Sequence, residues 1–300
     1  MTPAGSTRYF SSSTTGKLVL PIIKPIIPDA NQQQHRPAVR FRRGKQMQRS
    51  DMQRAYPEKP AQVYFFGTCL IDLFYPEAGM AGIQLLEREG VKVIYPQQQS
   101  CCGQPAYNSG YDNEARKVAA AQIACLQGGL PVVVPSASCA DMFRHHYPDL
   151  FADTPLRKQA LDLAARTYEL TEFLAHVCKV RLVDHGPAAT VAIHNSCSAQ
   201  RGMKTAQDAI SLLRQMRNVA IVQQERASEC CGFGGTFAVK APDISNAMVQ
   251  DKCDNLLATG ASDLVSGDCG CLMNISGALE KRKETLPAQH IASFIWERTQ

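Results

Sequence analysis

The nine residues Glu229–Phe237 read ECCGFGGTF, two adjacent cysteines followed by three glycines. Cys230 and Cys231 cannot both point into one hydrophobic core, since neighbouring side chains of a chain face different ways. An earlier stretch, SCCGQP, places Cys101 and Cys102 in the same arrangement. Each pair lies in a different half of the chain, so the two halves can be aligned on these cysteines.

Four cysteines recur in the same order in both halves of the chain. We call Cys69, Cys101, Cys102 and Cys139 the first thiol set, and Cys197, Cys230, Cys231 and Cys271 the second thiol set. The offsets between matching cysteines are 128, 129, 129 and 132 positions. Near-constant spacing between otherwise different sequences indicates an internal duplication.

Apolar strand-like segments alternate with helical patterns in both copies. The predicted strands are AQVYFFGTC, KVIYP and LPVVVPSASC in the first copy and ATVAIHNSC, VAIVQQE and ASDLVSGDCGC in the second. Such alternation predicts an α/β fold of two pseudo-symmetric units with mostly parallel sheets and the cysteine motifs at the carboxyl ends of the strands. We predict a first cysteine-rich repeat over 59–152, a helical connector over 153–188 and a second repeat over 189–300.

The first 58 residues differ in composition from the rest. They carry ten Lys/Arg against three Asp/Glu, a charge of +7, which leaves −2 for the other residues out of a total of +5. We expect a disordered basic tail, or a chain that truly starts at Met47 or Met52, and no nucleic-acid binding. The apolar run LVLPIIKPIIP is broken by prolines and a lysine. It predicts neither a secretory signal nor a membrane span, so we expect a cytoplasmic protein.

The strand ends of each copy can bring four thiolates together, which suits an iron–sulfur cluster or zinc. Structural zinc sites usually draw their ligands from C-x-x-C pairs, and the sequence has none. Adjacent cysteines reach different metal atoms of a cluster more easily than two corners around one ion. We therefore predict one iron–sulfur cluster in each copy, with zinc and buried or redox-active thiols as alternatives.

Four further cysteines and one histidine lie outside the two sets. Cys125, Cys178 and Cys253 are expected to be buried apolar residues, and Cys269 to replace or supplement Cys271. His194 precedes Cys197 by three positions. We expect a structural histidine with satisfied hydrogen bonds there, the alternative being a proton shuttle beside a cluster.

The motifs resemble a known family of duplicated CCG cysteine-rich domains, which occur also in heterodisulfide reductases. CCGQPAYNSG at 101–110, PSASC at 135–139, CCGFGGTFAVK with its preceding Cys230, and CLMNISG at 271–277 are similar to the signatures of the lactate utilization protein A family. The resemblance covers the chain from about residue 61 to its end. In the heterodisulfide-reductase version each motif ends in C-x-x-C, whereas Ser136 and Asp268 stand here in place of the first cysteine. Four cysteines per copy imply an ordinary [4Fe–4S] cluster, one per repeat.

This resemblance implies a role for the chain. It would be the iron–sulfur, electron-transferring oxidoreductase component of a cytoplasmic complex that oxidises L-lactate to pyruvate. The implied partners are a ferredoxin-like iron–sulfur B component and a C component. A heterodisulfide-reductase-like disulfide reductase, or the iron–sulfur subunit of another 2-hydroxy-acid oxidase such as glycolate oxidase, is the alternative. A zinc-stabilised interaction protein without redox activity is a third.

Overall fold

The computed structural model describes residues 54–300, and nearly all of the predicted basic tail lies outside the described residues. Eight strands in this part form two four-stranded sheets, and every pair of neighbouring strands is parallel. The strands are β1 (Gln62–Phe65), β2 (Lys92–Ile94), β3 (Val132–Val134), β4 (Thr167–Glu169), β5 (Ala189–His194), β6 (Val219–Val222), β7 (Asp263–Ser266) and β8 (Ala288–His290). The predicted α/β fold with two similar units is confirmed.

The two sheets have the same topology, β2-β1-β3-β4 and β6-β5-β7-β8. In each sheet the chain pairs its second strand on one side of the first and then crosses to place the third on the other side. The direction of the connections therefore reverses between β1 and β3, and again between β5 and β7. In open parallel sheets this reversal leaves a crevice at the carboxyl ends of the strands, which is where ligands bind.

Helices connect the strands and cover the sheets. In the first half they are α1 (Cys69–Phe74), α2 (Pro76–Arg88), α3 (Gln104–Asn108), α4 (Asp112–Cys125), α5 (Ala137–Asp141), α6 (Tyr147–Leu150), α7 (Arg157–Ala165) and α8 (Leu170–Glu172). In the second half they are α9 (Ala206–Leu213), α10 (Phe237–Lys240), α11 (Pro242–Leu257), α12 (Cys269–Lys281) and α13 (Ile291–Thr299). Three segments are π-helical, Met142–His146, Phe173–Cys178 and Ser198–Gly202. None of the helices within residues 54–300 combines the length and the apolar character needed to span a bilayer.

The hydrophobic core explains why short strands suffice. All three valines of β3 are fully buried, as expected for an inner strand of a parallel sheet covered on both faces. Behind the first thiol set, the rings of Phe66 and Phe143 lie 4.7 Å apart and those of Phe143 and Tyr147 lie 4.9 Å apart. Edge-to-face contacts of this kind hold the segments that carry the cysteines in one orientation.

The fourth strand of each sheet was not predicted from the sequence. Residues 153–188, predicted as a helical connector, contain β4 as well as helices, so the purely helical prediction was wrong. The duplication also extends to this strand, since Glu169 at the end of β4 and His290 at the end of β8 both cap the helix that follows. The predicted boundaries of the two repeats remain a prediction.

Candidate metal centres

The first thiol set lies at the crevice of the first sheet. Cys69 begins α1, Cys101 and Cys102 follow β2, and Cys139 lies in α5 after β3. The Cys69 thiol donates to Cys101 Sγ at 3.8 Å, and the Cys102 thiol interacts with both Cys101 and Cys139. The four sulfur atoms therefore form a continuous series, and none of them is in a disulfide.

The second thiol set repeats this series in the second sheet. The Cys197 thiol interacts with Cys230, Cys230 with Cys231, and Cys231 with Cys271. Cys271 lies in the first turn of α12, and Cys197 immediately precedes a π-helical segment. The cysteines after β1, β3, β5 and β7 thus belong to the turns or helices that follow the strands, and the structure brings together the residues that the spacing had grouped.

Each adjacent pair is held by the same local structure. The glycine that follows it has a left-handed backbone, with φ of +86° at Gly103 and +85° at Gly232. The N–H of each glycine donates to the first cysteine of its pair, over 3.4 Å to Cys101 Sγ and 3.4 Å to Cys230 Sγ. Only glycine adopts this conformation without strain, so the C-C-G sequence is needed to turn a backbone N–H towards the sulfur.

The carbonyl oxygen of the second cysteine in each pair is also fixed. The Tyr147 hydroxyl donates to the carbonyl of Cys102 at 2.8 Å, and the Asn274 side-chain amide donates to the carbonyl of Cys231 at 2.8 Å. Different residue types perform the same task in the two copies. The positions of both cysteine pairs are therefore set by hydrogen bonds as well as by packing.

Interactions among the thiols shift their pKa values. The pKa of Cys69 is raised, first by its hydrogen bond to Cys101 and then by burial. The pKa of Cys101 is lowered, first by the hydrogen bond from Cys102. The pKa of Cys197 is raised by its hydrogen bond to Cys230 and by burial. Buried thiols therefore share protons, and a bound cation would displace those protons, since the thiolate is the form that binds metal.

The donor chemistry fits an iron–sulfur cluster. Thiolates are soft ligands that favour zinc and iron–sulfur centres, and each set offers four. Within residues 54–300, the atoms of one trio approach one another closely enough for a single ion: those of His194, Cys231 and Cys271 lie within 4.8 Å of one another. The remaining thiols are spread along a line, which suits a polynuclear centre better than a tetrahedral zinc site.

A cavity of about 320 Å³ lies between the two thiol sets and is lined by all eight of their cysteines. Both sheets belong to one compact unit, so this cavity is part of the fold. Its lining also contains Asp268, whose side chain is buried. The Asp268 carboxylate accepts hydrogen bonds from Ser136 Oγ at 2.6 Å, from Ser138 Oγ at 2.7 Å and N at 3.2 Å, and from Ser196 Oγ.

Ser136 and Asp268 are therefore partners across the two repeats. They hold corresponding positions, three residues before Cys139 and Cys271. The sequence shows that a cysteine is replaced at each position, but only the structure shows that the two replacements bind each other. This contact joins the first turns of α5 and α12 beside the two thiol sets.

Cys269 does not lie where the sequence suggested. Its thiol is buried and close enough to Cys139 of the first thiol set to feel its charge, and burial together with Asp268 raises its pKa. The second set is linked through Cys271 instead. Cys269 is thus placed towards the first copy, because it precedes Cys271 by two positions on α12 and faces another way.

The other cysteines lie outside both sets. Cys253 is fully buried and Cys178 nearly so, as expected, and burial raises the pKa of Cys253 to about 11. Cys125 is the last residue of α4 and is partly exposed, so the prediction that it is buried was wrong. The helix ends there, which removes the side chain from the core.

Two polar residues near the second set were missed or misjudged. His194 is 1% exposed and neither ring nitrogen has a hydrogen-bond partner, so the expected satisfied histidine was wrong. Lys252 is also 1% exposed, and its Nζ lies 3.3 Å from the carbonyl oxygen of Arg226. The corresponding buried residue of α4 is Gln122, which binds the backbone N–H and the hydroxyl of Ser100. A polar residue in an apolar strand or on a core-facing helix position was the available signal.

Comparison with known proteins identifies the family. The family model described as a cysteine-rich domain, CCG, matches residues 63–144 and 191–276. "Lactate utilization protein A" of Shouchella clausii (strain KSM-K16) is 43% identical over 234 residues, 78% of this chain and 98% of that protein. The chain belongs to the lactate utilization protein A family. The family member of Bacillus subtilis (strain 168) is 41% identical over 238 residues, 79% of this chain and 100% of that protein.

The fold is also found in a solved structure. The crystal structure of a hypothetical protein from Helicobacter pylori superposes with a TM-score of 0.53 at 11% sequence identity. The match covers 81% of this chain and half of the other chain, at 50%. It shows a shared fold. The resemblance inferred from the cysteine motifs is confirmed by the family match.

Proposed function

We propose that this chain is the iron–sulfur electron-transfer component of a complex that oxidises L-lactate to pyruvate. The observation that carries the proposal is the arrangement of eight cysteines as two series of four around one cavity. The names of its relatives supply the metabolic setting, lactate utilization. The chain is then an oxidoreductase component of the lactate-oxidising system.

Each thiol set would hold one [4Fe–4S] cluster. The first would use Cys69, Cys101, Cys102 and Cys139, and the second Cys197, Cys230, Cys231 and Cys271. A cluster bound at each set supplies one-electron transfer. Oxidation of lactate to pyruvate releases two electrons and two protons, so two such sites in one chain match the number of electrons. Both sets open onto one cavity, which places the sites on the same side of their sheets.

The replacement of two cysteines favours this function over the disulfide reductase. A fifth thiolate per repeat accompanies disulfide-cleaving chemistry in the heterodisulfide-reductase version that the sequence resembles. Here Ser136 and Asp268 occupy those positions, and their side chains are engaged with each other at 2.6 Å. Each set keeps four thiols, which is the number that an ordinary cubane cluster requires.

The charge in the cavity suggests where lactate does not bind. The Asp268 carboxylate is buried beside the two sets, and it would repel the carboxylate of a 2-hydroxy acid. We therefore assign lactate binding to another component of the complex. The partners would be the B component, a ferredoxin-like iron–sulfur protein, and the C component. The proposed setting is the cytoplasm, where a reducing environment keeps the twelve free cysteines available.

Metal analysis and growth together test the proposal. The anaerobically purified chain should be brown and should contain iron and sulfide in equal amounts. In the source organism, deletion should abolish growth on lactate, and the wild-type chain should restore it. Cys101→Ser and Cys230→Ser should each fail to restore growth, whereas Cys125→Ser should succeed. A colourless protein that holds zinc, or normal growth of the deletion strain on lactate, would refute the assignment.

A further inference from the structure

His194 lies at the end of β5, facing the second thiol set. Its backbone pairs in register with Ser266 of β7, so the ring position is fixed by the sheet. Its ring lies within 4.8 Å of the sulfur atoms of Cys231 and Cys271. The residue is 1% exposed, and neither ring nitrogen has a hydrogen-bond partner.

A buried ring nitrogen without a partner is unfavourable. Leaving a buried donor unsatisfied costs about 1–3 kcal/mol, and folded proteins rarely do so. Burial lowers the pKa of His194 to about 3, so the ring is neutral and carries one N–H. The closest polar atoms that the structure assigns to it are the two sulfur atoms. The missing partner is therefore expected at the thiol set itself.

The first repeat shows what the histidine adds. Phe66 precedes Cys69 by three positions, as His194 precedes Cys197. Phe66 is fully buried and its ring packs against Phe143 at 4.7 Å, so it offers neither a ligand nor a hydrogen-bond donor. Four thiols are nevertheless present in both copies. A fifth ligand is thus not needed, and the difference between the copies is one N–H group.

We propose that His194 donates its ring N–H to a sulfur atom of the cluster bound by the second thiol set, and so raises the reduction potential of that cluster. Hydrogen bonds to sulfur stabilise the more negative, reduced state of a cluster and shift its potential upward. This inference rests on the proposed function, because it requires a cluster at the second set. It makes the two centres chemically unequal in spite of their common origin.

The test uses the anaerobically purified full-length chain with both clusters. Iron and sulfide are measured first, and midpoint potentials are then obtained by redox titration followed by electron paramagnetic resonance. His194→Phe, which copies the first repeat, should retain all of the iron and shift one of the two potentials to a more negative value. His194→Gln, which keeps an N–H donor, should shift it less. His290→Phe is the control, since both nitrogens of that buried histidine already have partners, the backbone of Pro135 and Ala292.

A second measurement needs no variant. Wild-type chain grown with isotope-labelled histidine should show weak magnetic coupling between a ring nitrogen and one reduced cluster. Coupling strong enough for a direct iron–nitrogen bond, or loss of one cluster in His194→Phe, would make His194 a ligand and overturn the inference. Unchanged potentials together with the absence of coupling would also overturn it. A wild-type chain without iron would instead refute the proposed function, and this result appears before any variant is measured.

Discussion

The carboxylate of Asp268 should hold the two repeats together, and its removal has a predictable cost. In Asp268→Ala, three hydroxyl groups and one N–H lose their acceptor. The hydroxyls of Ser136 and Ser138, 3.0 Å apart, can pair with each other. The Ser196 hydroxyl and the Ser138 N–H are then left unsatisfied. At about 1–3 kcal/mol for each buried donor, the expected loss of unfolding free energy is about 2–6 kcal/mol.

Urea unfolding of the anaerobically purified chain, followed by circular dichroism, measures this loss. Asp268→Asn keeps one acceptor oxygen, so about half of the loss is expected. The control is Asp162→Asn on the surface, where a change within about 0.5 kcal/mol is expected because exposed ion pairs contribute little. Ser136→Ala should cost less in the Asp268→Ala background than in the wild type, since the two residues share one network. A loss below about 0.5 kcal/mol for Asp268→Ala, or strict additivity in the double variant, would refute the role of this network.

Three further predictions concern the cysteine motifs. Cys101→Ser and Cys230→Ser should each lose about half of the bound iron while Cys125→Ser loses none, as measured by iron analysis; equal loss from all three would refute the assigned ligands. Gly232→Ala should destabilise the chain by about 1–3 kcal/mol more than Gly103→Ala in urea unfolding, because the added Cβ would lie 2.6 Å from a backbone carbonyl oxygen at Gly232 but no closer than 3.5 Å to any atom at Gly103. In the metal-free chain at about pH 7, iodoacetamide should modify Cys101 before Cys125, since the pKa of Cys101 is lowered and that of Cys125 is raised by burial. Mass spectrometry of the modified chain checks this order, which faster labelling of Cys125 would contradict.

The fold class and the grouping of the cysteines could be predicted because both are written in local patterns. Apolar segments end next to Cys69, Cys139, Cys197 and Cys271, and helical periodicity fills the intervals between them. Repetition at a nearly constant offset doubled that information. The helix predicted to begin at Asp112 is observed as Asp112–Cys125, and the next copy gives Pro242–Leu257.

Three features could not be predicted from local patterns. The strands Thr167–Glu169 and Ala288–His290 contain three residues each, too few to show an alternating pattern. Cys269 and Cys271 are two positions apart on one helix, and only the packing of α12 decides which thiol faces the second set. The expected partners of His194 depended on the atoms packed around the end of β5, which come from distant parts of the chain.

The amino-acid sequence by itself determined that the chain is a duplicated α/β protein with two sets of four thiols, because strand and helix periods and cysteine spacing are properties of neighbouring residues. The tertiary structure alone decided how the two copies meet. Ser136 and Asp268 are 132 positions apart and bind each other only because the two sheets face a common cavity. Contacts across such an interface depend on the mutual position of two folded units, which no local pattern in either unit specifies.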